Sequence, residues 1–547
     1  MAAEQPHTLA VVVPQGRAPG GRRRYSHLTY AQLDRDSNQI AAGLLASGIT
    51  AGTRSAVMVK PGLDFFALTF ALFKAGIVPV LIDPGIGLSS LGKCLDEAAP
   101  ELFIGIPRAI AARRVLGWGK ESVRRVIVVA PGAPWLGLQT LDKLRQVGRR
   151  AIEQGTIGSP VLHAPGPDEA AAILFTSGST GPPKGALYTH GIFQAQIERF
   201  RALYNIEPGE IDLCTFPLFA LFAPALGMTS IVPEMDPTRP ARVNPDKLFA
   251  AIDDFGPTNM FGSPALLRRV GPVGVARGLK IPSLKRVVTA GAPSSARVLE
   301  TFAQLLEPPA EIFTPYGATE ALPVASIGSS EILRETRHAT DKGAGVCVGR
   351  PVEGALVRII RISDEPIPTW SDDLEVSDGT VGELIVAGPM VTREYFRRPE
   401  ANALAKIADP RRGTFFHRMG DLGYRDDQGR LWFCGRKAHR VVIGQLTLYT
   451  VCCEGVFNVH PDVARTALVG VDGPSGTIPV LCVEPVKRLN RRDQERVRGE
   501  LLDRGAEFPH TRTITSILFH DSFPVDIRHN SKIFREKLAV WAARKLR

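Results

Sequence analysis

Residues 173–185 read Ile-Leu-Phe-Thr-Ser-Gly-Ser-Thr-Gly-Pro-Pro-Lys-Gly, and no other stretch constrains the fold as much. Residues 171–175 form an apolar run with the length of a buried strand. The run ends at Thr176, and the residues up to Lys184 exclude regular structure. Gly178, Gly181 and Gly185 permit backbone shapes that other residues resist and let a ligand approach closely. Thr176, Ser177, Ser179 and Thr180 offer hydroxyls, and Lys184 offers a cation. A strand that opens into a loop of N–H groups, hydroxyls and one lysine suits phosphate oxygens. It is not a Walker A loop: the Gly-Lys-Ser/Thr ending is missing, and Pro182-Pro183 stands where that loop enters its helix.

The chain around this loop alternates strand and helix. Residues 1–25, with Pro14, Gly16, Pro19, Gly20 and Gly21, predict a loose arm. A helical pattern then begins at Leu28-Thr29-Tyr30, runs through Leu33, Ile40, Ala41 and Leu44-Leu45, and stops at Gly48. Residues 55–59 predict a strand, 63–73 an apolar helix, and 78–82, 102–104 and 125–130 further strands. This rhythm argues for an α/β fold, with mostly parallel sheets covered by helices. Residues 213–233 carry no charge, but Pro217, Pro224, Gly227 and Pro233 interrupt them. A buried helix walling an apolar pocket is expected there, not a transmembrane segment.

Length and composition narrow the class. A chain of 547 residues exceeds one core, so two or more domains are expected. Seven cysteines, an odd number with no Cys-x-x-Cys pair, fit reduced thiols in the cytoplasm. Arg22-Arg23-Arg24 is followed by no apolar signal-peptide core. The formal net charge is +11, and residues 436–547 hold 19 Lys+Arg against 12 Asp+Glu. Those bases are interleaved with acids rather than gathered into a stripe, so nucleic acid is not an expected partner.

Further motifs follow in order. Residues 287–293 read Val-Val-Thr-Ala-Gly-Ala-Pro, and 312–320 read Ile-Phe-Thr-Pro-Tyr-Gly-Ala-Thr-Glu. Met419-Gly420-Asp421-Leu422-Gly423, Gly435-Arg436-Lys437-Ala438 and a segment ending Asn530-Ser531-Lys532-Ile533 complete the series. Together with 173–185, this series resembles the adenylate-forming superfamily, and the resemblance covers nearly the whole chain.

That resemblance implies an adenylation domain over 1–435 that includes a small barrel segment. A hinge at 436–438 and a smaller, mobile α+β lid over 439–547 follow. It implies ATP and Mg²⁺ as cofactors. Thr176, Ser177, Gly178, Ser179, Thr180, Gly181 and Lys184 would hold the phosphates. Gly291, Ala292 and Pro293 would line the adenine pocket. Tyr316 would stack on the adenine face, flanked by Gly317 and Ala318, and Thr319 would sit by the α-phosphate. Glu320, with Thr176, would hold the metal. Asp421 would accept from the ribose hydroxyls, and Arg436 would lie near ribose and phosphate. Lys532 would be catalytic, together with Glu320 and Thr319. His190, at a helix start, is open between a structural and a catalytic role. The sequence departs from the family pattern at Ala220, where many acyl-CoA synthetases have His. It departs again at Thr450 and Cys452, which replace Pro and Glu on a face that lines a pantetheine channel in CoA-using relatives.

At a finer level, residues 217–237, 259–270 and 343–351 resemble the β-lactone synthetases of bacterial long-chain olefin biosynthesis. By that resemblance the substrate is a long-chain 2-alkyl-3-hydroxyalkanoic acid, activated as an acyl-adenylate and closed to a β-lactone. A ketoreductase and a hydrolase-like decarboxylase would be partners. A fatty acyl-CoA synthetase is the same-class alternative, and a non-catalytic nucleotide-binding scaffold is the other.

Overall fold

The computed structural model of this chain describes every residue except 131–136, 157–164, 176–181, 475, 526–531 and 547. The chain divides into two compact units. The first comprises Met1–Gly262, Ile281–Val287 and Pro389–Asn402, and the second comprises Ser263–Lys280, Val288–Gly388 and Ala403–Arg547.

The first unit holds the parallel sheets that the strand–helix alternation predicts. One sheet runs Gln139–Thr140, Arg125–Val128, Leu102–Gly105, Arg54–Met58, Val78–Leu81, Ala170–Phe175 and Gly185–Thr189 in spatial order. All neighbours are parallel except the last pair. Their near-continuous apolar sequence follows from helices covering a parallel sheet on both faces. A second set places Leu9–Arg17 parallel to Thr229–Ile231, which in turn lies parallel to Ile211–Cys214 and Asn259–Phe261.

Two expectations fail in this unit. Residues 1–25 are not a loose arm: Leu9–Arg17 pairs antiparallel with Arg23–Thr29. Ala10, Val11, Val12 and Val13 are buried, and this apolar run carries the strand through Pro14 and Gly16, while Pro19, Gly20 and Gly21 lie between the two strands. The uncharged run 213–233 is not one helix. It contains the end of strand Ile211–Cys214, short helices Pro217–Ala220 and Phe222–Leu226, and strand Thr229–Ile231. Pro217 opens the first of these helices, and Gly227, at φ +87°, ends the second. No helix among the described residues is long and apolar enough to cross a membrane.

The second unit is largely antiparallel. Its main sheet runs Leu356–Ile360, Gly382–Ala387, Thr414–Arg425, Leu431–Arg436, Val346–Pro351, Ala321–Gly328 and Glu311–Ala318. Gly382–Ala387 belongs to it, whereas residues 392–396 join the first unit: the Leu187 N–H donates to the Glu394 carbonyl at 3.0 Å, and the Phe396 N–H to the Gly185 carbonyl at 2.8 Å.

The C-terminal part of the second unit is a three-stranded sheet, Val463–Gly473, Gly476–Pro485 and Ser516–Phe519. Side chains alternate across it with the period of a strand. Leu468, Leu481 and Val483 pack under helices Thr450–Phe457 and Arg491–Ala506. Ala467, Val469 and Val480 pack under helix Arg535–Leu546.

Candidate active site

Strands Glu311–Ala318 and Ala321–Gly328 form a hairpin in which Ala318 faces Ala321, so Thr319 and Glu320 are its two-residue turn. The geometry puts Glu320 at a tip and Tyr316 within the ladder. Gly317 is required there, since a Cβ would come within 2.6 Å of the Ala321 carbonyl oxygen. The Thr289 N–H donates to the Phe313 carbonyl at 2.9 Å, so the segment Gly291-Ala292-Pro293 starts beside the strand that carries Tyr316. Gly291 takes φ +96°, a left-handed turn that glycine adopts readily.

Asp421 and Arg436 face each other across strands Thr414–Arg425 and Leu431–Arg436. The Tyr316 hydroxyl donates to Asp421 Oδ2 at 2.7 Å. Arg436 Nη1 lies 3.1 Å from Asp421 Oδ1 and donates to the Met419 carbonyl at 3.1 Å. Asp421 is only 4 % exposed. Burial raises its carboxyl pKa above the usual carboxylate range. Arg436, the Tyr316 bond and the Lys532 ammonium pull it back, and the nearby Glu320 charge pushes it up. The same burial, with the Asp421 charge, lifts the Tyr316 hydroxyl well above its ordinary value.

Tyr316, Glu320, Asp421, Arg436 and Lys532, which span 217 positions of sequence, therefore act on one another electrostatically. Asp421 Oδ1 is buried and makes no hydrogen bond among the described residues. A buried carboxylate oxygen held by the Arg436 ion pair but by no hydrogen bond keeps acceptor capacity for hydroxyls, as a ribose would supply.

Lys532 is held from its C-terminal side. Val525 and Ile533 form a bridge, and the Phe534 N–H donates to the Pro524 carbonyl at 2.9 Å. Three residues beyond Lys532, Arg535 forks onto Glu454, with Nη2 at 2.9 Å from Oε2 and Nη1 bonded to Oε1. Glu454 Oε1 also accepts from the Leu468 N–H at 2.7 Å, and Arg535 Nη1 donates to the Leu468 carbonyl at 3.2 Å.

Residues 436–438 are tied to the main sheet beside them. Lys437 Nζ donates to Glu383 Oε2 at 3.2 Å and to the Ser363 carbonyl at 2.6 Å. Glu383 is also paired with Arg418, Nη2 at 2.6 Å, with side chains 1 % and 2 % exposed. Sequence reasoning missed this trio, because its members are far apart in the chain and carry no motif.

In the first unit, strands Ala170–Phe175 and Gly185–Thr189 are the two arms of a hairpin, with Phe175 opposite Gly185. Thr176, Ser177, Gly178, Ser179, Thr180 and Gly181 lie outside the described residues. Lys184 stands at the foot of this loop, its ammonium 4.9 Å from the Tyr395 ring centre. His190 opens helix His190–Tyr204, its ring edge-on to Phe73 at 5.9 Å. The uncharged run supplies an aromatic wall. Phe219 stacks on Phe261 at 4.5 Å, and Phe216, Phe222 and Phe200 extend the series. Ala220 is buried within it.

A buried tyrosine–aspartate–arginine knot with a lysine acting on it suits an enzyme that holds a nucleotide. The chain belongs to the AMP-binding enzyme family, whose profile matches residues 1–396. It is 49 % identical to the olefin β-lactone synthetase of Xanthomonas campestris over 99 % of this chain and 96 % of that protein. It is 48 % identical to the olefin β-lactone synthetase of Stenotrophomonas maltophilia over 100 % and 97 %. The amide bond synthetase of Marinactinospora thermotolerans shares the fold, with a TM-score of 0.78 at 23 % identity over 98 % of this chain and 97 % of that one.

Proposed function

We propose that the protein is an ATP-dependent β-lactone synthetase acting on long-chain 2-alkyl-3-hydroxyalkanoic acids. The observation that carries this reading is the convergence of Tyr316, Glu320, Asp421, Arg436 and Lys532 on one charged knot. The similarity to two β-lactone synthetases along their full lengths favours the lactone over a thioester.

The chemistry has two steps. A carboxylate oxygen attacks the α-phosphorus of ATP, and pyrophosphate leaves. Two anions must meet, so the protein's work is positioning and charge compensation. The Lys532 ammonium bridges the incoming carboxylate and the α-phosphate. Asp421 takes the ribose hydroxyls, Arg436 lies by ribose and phosphate, and Tyr316 packs against adenine beside Gly291, Ala292, Pro293, Gly317 and Ala318. Thr176 to Gly181 and Lys184 hold the outer phosphates, and Thr319 the α-phosphate. Glu320 and Thr176 would hold Mg²⁺, which supplies charge neutralisation when bound. In the second step the substrate's own 3-hydroxyl oxygen attacks the adenylated carbonyl and loses its proton. AMP leaves, and a four-membered ring closes. The nucleophile is already tethered to its target, so no pantetheine channel is needed. This agrees with Thr450 and Cys452 standing where CoA-using relatives carry Pro and Glu.

In this reading residues 1–435 form the adenylation body, 436–438 the hinge and 439–547 the lid that delivers Lys532. The Phe219–Phe261 wall suits alkyl chains. A cytoplasmic setting suits its seven free thiols, all buried. A ketoreductase would supply the 3-hydroxy acid, and a hydrolase-like decarboxylase would consume the lactone.

Purified protein with ATP, Mg²⁺ and a long-chain 2-alkyl-3-hydroxy acid is expected to release AMP without CoA and to yield a lactone on chromatography. A requirement for CoA, with a thioester product, would establish the acyl-CoA synthetase instead. Asp421→Asn is expected to raise the KM for ATP about 10- to 100-fold, the loss of a charged acceptor for ribose hydroxyls. Steady-state pyrophosphate release measures it, and an unchanged KM would remove Asp421 from the nucleotide site.

A further inference from the structure

Residues 363–365 follow strand Leu356–Ile360 and are pinned by Arg418, whose Nη2 donates to the Ser363 carbonyl at 2.5 Å and whose Nη1 donates to the Glu365 carbonyl at 2.7 Å. Between those two carbonyls stands Asp364, its side chain 65 % exposed and turned to the residues after the proposed hinge. Arg440 closes the turn Lys437–His439 and folds its guanidinium back over it. Nη1 donates to the Lys437 carbonyl at 2.7 Å, and Nη2 donates to Asp364 Oδ2 at 2.5 Å. Lys437 Nζ, 3.9 Å from Asp364 Oδ1, adds a second positive charge. The hydrogen bond from Arg440 is the main reason the Asp364 carboxyl is held below the usual carboxylate range. The next residue, Val441, is buried in the core of the C-terminal lobe with Leu448 and Val456. Arg440 is therefore rooted in the lobe, while both of its acceptors lie on the other side of Ala438. Lys437 stays with the main sheet through Glu383 and Ser363. Rotation about Ala438 would carry the guanidinium away from both acceptors.

We propose that Asp364 is a positioning residue: it clasps Arg440 across the proposed hinge and holds residues 439–547 in their present orientation, the one that serves adenylation, so that the fork must open before the lobe can turn. This rests on the adenylation reading for what the orientation does, but not for the clasp itself. In this orientation the Lys532 ammonium acts on Asp421. An exposed ion pair adds little to folding stability, which suits a bond that has to break and re-form in each turnover. A bias of a few-fold between two orientations needs no stronger contact, because a clasp shifts the populations only by its difference between the two states.

Trypsin cuts after an arginine only when the guanidinium is free to enter its pocket, so cleavage of the native full chain after Arg440 reads the clasp. Asp364→Ala is expected to speed that cut roughly two- to fivefold, the scale of an exposed ion pair, and Asp364→Glu should restore the slow rate. Cleavage after Arg411, 74 % exposed, should stay the same in all three proteins and serves as the internal control. Peptide masses identify both cuts. ATP–pyrophosphate exchange at saturating ATP should fall in Asp364→Ala by the same factor and recover in Asp364→Glu, with the melting temperature unchanged in both. Equal cutting after Arg440 in Asp364→Ala and the unmodified chain would overturn the proposal. So would faster cutting with undiminished exchange, or a loss of exchange that Asp364→Glu fails to recover. The cut needs no turnover, so an unmodified enzyme that releases no AMP with any acid would instead sink the functional reading, with the clasp still read by its cut.

Discussion

Replacing Lys532 by alanine is expected to lower ATP–pyrophosphate exchange roughly 10²- to 10³-fold, the scale for losing one charged group aimed at a transition state. On the proposed reading the KM for ATP should change little, because other residues are assigned to adenine, ribose and the outer phosphates. The reason lies in the charges around the reacting atoms. Glu320 and Asp421 already place two carboxylates in the region, and the substrates bring a third carboxylate and the phosphates. Lys532 acts favourably on Asp421 across the knot, and on the proposed reading its loss leaves the approach of acid to α-phosphate with less charge compensation. Arginine at the same position keeps the charge but not the compact ammonium, so it should recover only part of the rate. Pyrophosphate exchange in Lys532→Ala equal to that of the unmodified protein would take Lys532 out of the first step.

Arg418→Met is expected to destabilise the second unit by about 3–5 kcal/mol, the cost of leaving a buried charge without its partner. At the usual slope for a domain of this size, that lowers its melting temperature by roughly 10 °C. Arg418 donates Nη2 at 2.6 Å and Nε at 3.2 Å to Glu383 Oε2, and Nη1 at 2.7 Å to the Glu365 carbonyl. Removing it leaves Glu383 with Lys437, whose ammonium also serves the Ser363 carbonyl. Differential scanning calorimetry reads the change. The double variant Arg418→Met/Glu383→Leu should recover part of the loss, because the stranded carboxylate goes with its partner. A single variant that melts within a degree or two of the unmodified protein would show that this pair does not hold the sheet together.

Local sequence carried much of the fold. Val78–Leu81 and Ala170–Phe175 lie next to each other as parallel strands because both are apolar on both faces, a pattern visible residue by residue. The hairpin that puts Glu320 at a turn was implied only by a motif, and its two-residue geometry emerges from the pairing of Ala318 with Ala321. The 213–233 run misled because absence of charge marks burial without saying whether helix or strand is buried. Leu9–Arg17 was masked by its glycines and prolines, of which Pro14 and Gly16 lie within the strand and Pro19, Gly20 and Gly21 follow it. The Arg418–Glu383–Lys437 trio and the Tyr316–Asp421 bond join residues 35 to 105 positions apart. Such pairings arise from sheet order, which no local pattern encodes.

The fork of Arg535 onto Glu454 bears on how the enzyme is turned on. Lys532 lies one short bridge away from a helix that is itself locked to the strand Val463–Gly473. On the lid reading proposed above, its reach is set by where the C-terminal lobe stands, and much less by the rotamers of its own side chain. Chemistry gated in this way is expected to respond to lobe orientation as a latch does, engaged or withdrawn, with few intermediate settings. Viscosity and crowding would then alter turnover more than small changes in the pocket's polarity.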